Sequence, residues 1–284
     1  DKDLSGLPVY VYDGAKLLEL NKDYTFSDFS IIKESSAQVV VNAVENGNYE
    51  GWVSAKLTVY ESSAKIINFK DVKLENSIMP YTGKAVKPKV TVVVNGTTLD
   101  KKDYKVQYQN NKNAGTAFVI VTGKKEYKGK VTVPFTIKAE TVQNNAITIK
   151  EIPEKTYNAK LQKPSVAVSI QKDGKTKKLS KNKDYTVSYE NNFHAGTAKV
   201  IVKGKGNYAG LMKTGEFTIT ALEIKKVSIK GTQKNLIVMY GKQKLIEGTD
   251  YEKPVFSEQN KNKVKVTLKG KGDFTGEVTK NVKK

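Results

Sequence analysis

The sequence predicts an all-β chain made of four copies of one unit. Three observations predict it: a pattern that returns four times, apolar residues that alternate with period two inside each copy, and turn residues that punctuate the alternating runs. The pattern is fullest from Asp103 to Ile137. It returns closely from Asp184 and more weakly from Asp23 and Asp250. Each copy opens on an Asp-Tyr pair: Asp23-Tyr24, Asp103-Tyr104, Asp184-Tyr185 and Asp250-Tyr251. Each then places a Tyr or Phe two residues before a Gly, at Tyr49, Tyr127, Tyr208 and Phe274. The offsets between the two aromatic anchors are 25, 23, 23 and 23 residues.

Counting back from the second anchor gives one inward row per copy. The rows are Val39, Val41, Ala43; Ala117, Val119, Val121; Ala198, Val200, Val202; and Val264, Val266, Leu268. Their neighbours are more often polar, as a half-buried strand requires when successive side chains face opposite ways. Tyr104, Val106, Tyr108 and Tyr185, Val187, Tyr189 form a second row, and Val131, Val133, Phe135, Ile137 a third. Asn95-Gly96, Asn110-Asn111, Ala114-Gly115 and the stretch Gly204–Gly210 mark turns. No stretch has the spacing of an amphipathic helix. Each copy reads as about seven short antiparallel strands.

The copies divide the chain at 1–60, 61–138, 139–220 and 221–284. In the first, Pro8–Tyr12 is the Pro-led strand, Asp13-Gly14 is a hairpin turn, and the strand equivalent to Ile66–Leu74 falls before Asp1. Trp52, the sole Trp, aligns with Lys130 beside the inward pair Val53 and Val131, so it is expected to face away from the core. Residues 61–65 and 138–145 read as short polar linkers. Pro134 takes an outward position in the last strand of the second copy, which suits a sheet edge. The third copy has Tyr157-Asn158-Ala159 where the second has Tyr81-Thr82-Gly83, and Ala disfavours left-handed backbone, so a different turn is expected there. It also carries a five-residue insertion around Asp173-Gly174. The fourth copy is shorter, lacks the Tyr-x-Gly and Pro start, and has Pro254 in its second anchor strand. A terminal repeat is commonly atypical.

These residues resemble the tandem bacterial Ig-like repeats of secreted and cell-surface proteins of Gram-positive, often gut, bacteria. The likeness rests on D-Y-x-V-x-Y-x-N-N, A-G-T-A, G-x-G-N-Y-x-G and a closing F-x-I. It is close in the middle two copies and partial in the outer two. It implies immunoglobulin-like β-sandwich modules arranged as an elongated array, without the disulfide and packed Trp of antibody domains. It implies an extracellular setting, secreted or attached to the cell surface. A fold of this type does not dictate a function.

Composition narrows the function classes. There is no Cys, so no disulfide or thiolate metal site forms. The net charge is +20 and all 49 cations are Lys. Residues 1–60 carry −4, whereas 61–138, 139–220 and 221–284 carry +9, +7 and +8. The lysines are scattered over strands and turns, and Arg, the bidentate reader of bases and phosphates, is missing. The expectation is a solvated surface that keeps edge strands from pairing, not nucleic-acid binding. Loose attraction to an anionic cell-wall polymer, mucin glycan or membrane surface fits the same charge. No run reaches the length of a membrane span, and no signal peptide is visible.

No catalytic set is expected. His194 is the sole His, aligns with Asn113 in a turn, and lacks a second ligand or nucleophile. The repeated Asp23, Asp103, Asp184 and Asp250 sit beside turn signals and are expected to cap backbone. No cofactor or metal is expected. The resemblance also implies that Lys–Asn or Lys–Asp isopeptide crosslinks can form on such domains, but no particular pair stands out. The reading is a non-enzymatic spacer or stalk segment, adhesive in one variant, that is monomeric and flanked by other domains. The alternative is an array of carbohydrate-binding modules for glycan or polysaccharide, with Trp52 as its one named ligand-binding candidate, stacking on a sugar ring.

Overall fold

The computed structural model describes residues 9–33, 36–61 and 63–284. Pro8, and Ser62 in the first linker, lie outside the described residues. The chain is all-β: its other regular elements are single 3-10 turns, such as Phe69–Asp71 and Gly206–Tyr208. Among the described residues no helix is long and apolar enough to cross a membrane. Two compact units divide it, Asp1–Glu140 and Thr141–Lys284. Among the described residues, every strand ladder joins strands of the same sequence copy.

The second copy shows the plan. Val72–Leu74, Val90–Val94 and Thr97–Thr98 form a three-stranded sheet. Tyr104–Gln109, Gly115–Gly123, Lys130–Lys138 and Ile78–Pro80 form a four-stranded one, whose last neighbour runs parallel. The inward side chains of both meet in one core, with Val92, Val119 and Phe135 at its centre. Period two accounts for this, because Ala117, Val119 and Val121 share a face while Thr116, Phe118 and Ile120 take the other. The third copy repeats the plan with Ile147–Ile149, Val168–Lys172 and Lys175–Lys178 in one sheet. The other sheet holds Lys155–Thr156, Met212–Thr220, Gly196–Gly204 and Tyr185–Glu190. In the fourth copy the second anchor strand starts only at Val255, directly after Pro254. Pairing is present before it, where Tyr251 bridges Gly270 and Glu252 N donates to Lys269 O at 2.8 Å, and breaks at Lys253-Pro254, since a proline cannot donate to the ladder.

The offset of 25 in the first copy has a steric cause. A Cβ on Gly123, Gly204 or Gly270 would stand 2.7, 1.7 or 2.6 Å from backbone atoms of the following anchor segment. Those glycines let the chain fold back tightly on itself. The first copy has Ala43 in that place, since Tyr24 pairs with Ala43 as Tyr104 pairs with Gly123. Its turn is two residues longer, which clears the methyl group. The inward row there is therefore Ala37, Val39 and Val41, all buried, and not Val39, Val41 and Ala43.

Three further expectations are corrected. Val53 is not inward in effect: it pairs with buried Val41 but is 57% exposed, because nothing described covers that edge of the sheet. Pro134 is buried, although its missing N–H does face the side that Ile78–Pro80 leaves unpaired; it lines the cleft described below. Ala159 keeps the left-handed turn, with φ 56° against 78° at Gly83, so the turn is conserved at the cost of strain.

Candidate functional site

The residues that define the repeat bind their own module. Asp23, Asp184 and Asp250 each accept, through Oδ2, the backbone N–H four residues earlier, at 3.0, 2.8 and 2.8 Å. Asp103 instead holds Lys125 Nζ at 3.0 Å. The Tyr108 hydroxyl donates to Pro88 O at 2.9 Å, and Tyr189 donates likewise to Pro164 O. Asn111 Nδ2 donates to Val86 O at 2.8 Å while Val86 N donates to Asn111 O at 2.7 Å. Asn192 and Gln162 repeat this exchange at 2.6 and 2.7 Å. The D-Y-x-V-x-Y-x-N-N signature thus pins the Pro-led segment, whose backbone would otherwise be buried without partners.

In the unit Thr141–Lys284 the seam between the third and fourth copies is filled. Tyr157, Phe193, Tyr240 and Phe274 meet there, mostly edge to face, with ring centroids 5.5 to 6.5 Å apart. The Tyr157 hydroxyl donates to Gln243 Oε1 at 3.0 Å. His194 does occupy a turn, but it also reaches across the seam. Its Nδ1 lies 2.7 Å from Asp273 Oδ2, and Asp273 Oδ1 accepts the Ala195 N–H at 2.6 Å. Asp273 is buried, so it is a lock between two copies and not a ligand set.

Among the described residues of the unit Asp1–Glu140 the corresponding seam is open. A cleft of about 870 Å³ lies between the first two copies, a size typical of ligand sites. Tyr10, Tyr12, Phe29, Leu57, Val59 and Phe69 line it. Tyr10 and Tyr12 lie 4.4 and 5.8 Å from the Phe69 ring, so the rings form its wall. Lys56, Glu61 and Lys130 add charge. The Tyr12 hydroxyl is shielded from solvent yet has no hydrogen-bond partner among the described residues. Burial, and Tyr10 beside it, push its phenol up to about 12.

Trp52 faces solvent as expected and is 72% exposed. It starts the strand Trp52–Thr58, opposite Asn42, whereas the cleft touches the same strand only from Lys56 onward. The structure does not bring the two together. Sequence reading missed the cleft; the aromatic pair Tyr10 and Tyr12, and Phe69 in a turn, were its only local signals. Among the described residues, no group of three His, Asp or Glu side chains converges as a metal site would. No protein-family model and no curated protein sequence matches the chain.

Proposed function

We propose that the chain is a non-enzymatic spacer in a secreted or cell-surface bacterial protein. It consists of immunoglobulin-like β-sandwich modules in tandem, at 1–60, 61–138, 139–220 and 221–284. One observation carries this reading. The side chains repeated from copy to copy are bonded to their own backbone, so what the repetition preserves is a module and not a ligand contact. The filled seam of Thr141–Lys284, with its aromatic cluster and Asp273 lock, supports a mechanical role, since neighbours in such an array are held by local contacts. Single-molecule stretching of the full chain tests it. Discrete unfolding steps are expected; featureless extension at low force would defeat the spacer reading.

The second reading, a carbohydrate-binding array, is favoured by Trp52, a large aromatic face presented to solvent. Affinity electrophoresis through gels containing starch, xylan, mannan or mucin separates the two. The binding reading requires retardation that is lost in Trp52→Ala; uniform mobility across the panel leaves the spacer.

A further inference from the structure

One row on the outward face of the sheet sets the first copy apart. Thr25, Asn42 and Trp52 are cross-strand neighbours there, turned away from the core. The register puts Lys105, Thr122 and Lys130 in this row in the second copy, and Thr186, Lys203 and Met212 in the third. In the fourth it sets Lys269 between Glu252 and Glu277. Only the first copy has no charge in the row, and only it has an aromatic ring there, 72% exposed. The next row, Ser27, Val40 and Ser54, is uncharged as well. Asn42 Nδ2 donates to Ser27 Oγ at 2.7 Å, which ties the two rows together and holds the amide in place. The Asn42 Oδ1, its second N–H and the Ser27 hydroxyl proton have no partner among the described residues.

The chain's own neighbouring segments leave this row open wherever they are described. In the second and third copies the front segment runs beside 136–138 and 219–220, at the far end of the strand from Lys130 and Met212. Ala37 pairs with Leu57 as Ala117 pairs with Phe135, so the equivalent place in the first copy begins at Thr58. That is six residues from Trp52, or about 20 Å along a strand. A preceding module does not cover the row either: the seam of the fourth copy with the third is filled, yet Glu252, Lys269 and Glu277 are exposed.

We propose that this face of the first copy is a binding site for a neutral polysaccharide, whose chain crosses the strands from Trp52 over Asn42 to Thr25. The inference rests on the carbohydrate-binding reading and gives it a location and a ligand class. A pyranose ring presents C–H groups on its faces and hydroxyls around its rim. Trp52 supplies an apolar plane for the first, and Asn42, Ser27, Thr25 and Ser54 supply amide and hydroxyl groups for the second. These side chains are short, and Thr25, Ser27 and Asn42 are already half-buried in the sheet, so little rotamer freedom is lost on binding. Charge selects the class. Residues 1–60 carry −4 while each later copy carries +7 to +9, and neither row of the site offers a cation to a carboxylate or phosphate. An anionic polymer is drawn to the other copies instead.

Trp52 is the sole Trp, so its emission reports on this site alone. The full chain is titrated with soluble starch, arabinoxylan, galactomannan and the anionic polygalacturonate, by fluorescence and by affinity electrophoresis. Both are run at low salt and at about 1 M, where charges are screened within about 3 Å. The expected result is that at least one neutral polymer shifts the Trp52 emission and retards the chain equally at both salt concentrations. Trp52→Ala should weaken that binding at least tenfold, and Asn42→Ala about threefold to tenfold, the effect of losing one hydrogen-bonding group. Ser54→Lys, at an exposed position, should weaken it about threefold or more and carries the test if Asn42→Ala disturbs the strand. Retardation lost in Trp52→Ala but unchanged in both other variants would overturn the site while the carbohydrate reading stood. Retardation without a change in emission would overturn it by moving binding elsewhere. Retardation by polygalacturonate alone, abolished at high salt, would overturn the neutral class. No retardation and no emission shift with any polymer would remove the site and the carbohydrate reading together.

Discussion

Leu57 and Phe135 hold the same place in the first and second copies, each across from a fully buried alanine. Phe135 is enclosed by two sheets, while Leu57 is only half-buried and borders a cleft. Both alternate correctly with their neighbours. What separates them is the segment that closes the second sheet and is not described for the first. Alternation chooses a face, and closure decides whether that face is dry. The comparison predicts unequal costs for the same change. Phe135→Ala should destabilise its module by about 3–5 kcal/mol, as for a buried aromatic. Leu57→Ala should cost about 1–2 kcal/mol, because part of its apolar area is already wet. Calorimetry of the full-length variants reads both, and equal losses would break the comparison.

The tight turn sharpens it at a second point. Gly123→Ala sets a methyl group 2.7 Å from Tyr127 O, so backbone must shift. A loss of about 1–3 kcal/mol is expected. In the first copy the longer turn already accommodates Ala43, and Ala43→Gly should cost at most about 1 kcal/mol, from added freedom in a strand. If Gly123→Ala were harmless, the two-residue difference between 25 and 23 would need another cause. The Tyr-x-Gly turn gives a smaller effect of opposite sign. Ala159 sits at φ 56° where the second copy has Gly83. Ala159→Gly should stabilise by about 1 kcal/mol, read as a raised unfolding midpoint; Gly83→Ala should lose a similar amount.

These pairs also show where sequence suffices. The strands, the hairpins at Asn95-Gly96 and Asp173-Gly174, and the outward Trp52 follow from period, turn chemistry and anchor spacing, all local properties. Capping by Asp23, Asp184 and Asp250 was legible for the same reason: the acceptor and its donor lie four residues apart. The contact of His194 with Asp273 spans 79 positions, and neither residue type nor spacing marks it. The exposure of Val53 depends on a covering strand, which no pattern inside Trp52–Thr58 records. The cleft likewise needs Tyr10, Leu57 and Phe69 brought together from three segments.

The smallest expected effect concerns protons. Burial raises the phenols of Tyr104 and Tyr108 in the second copy, and raises Tyr12 to about 12 at the open seam. An unfolded tyrosine ionises near 10. Below that pH both states hold the proton, and these groups leave stability independent of pH. Between about 10 and 12 the unfolded chain releases protons that the folded chain retains, so stability falls as pH rises. Tyrosinate absorbance during alkaline titration should show these rings ionising late, together with unfolding. Tyr12→Phe sharpens the contrast. It removes one of the late groups and a shielded hydroxyl without a partner among the described residues, so it should leave neutral-pH stability unchanged or raise it by up to about 1 kcal/mol and soften the alkaline loss. Tyr108→Phe deletes a hydroxyl that donates to Pro88 O, so it should destabilise at neutral pH by about 1 kcal/mol. Identical behaviour of the two variants would mean that the open and closed copies do not differ in how they treat a tyrosine.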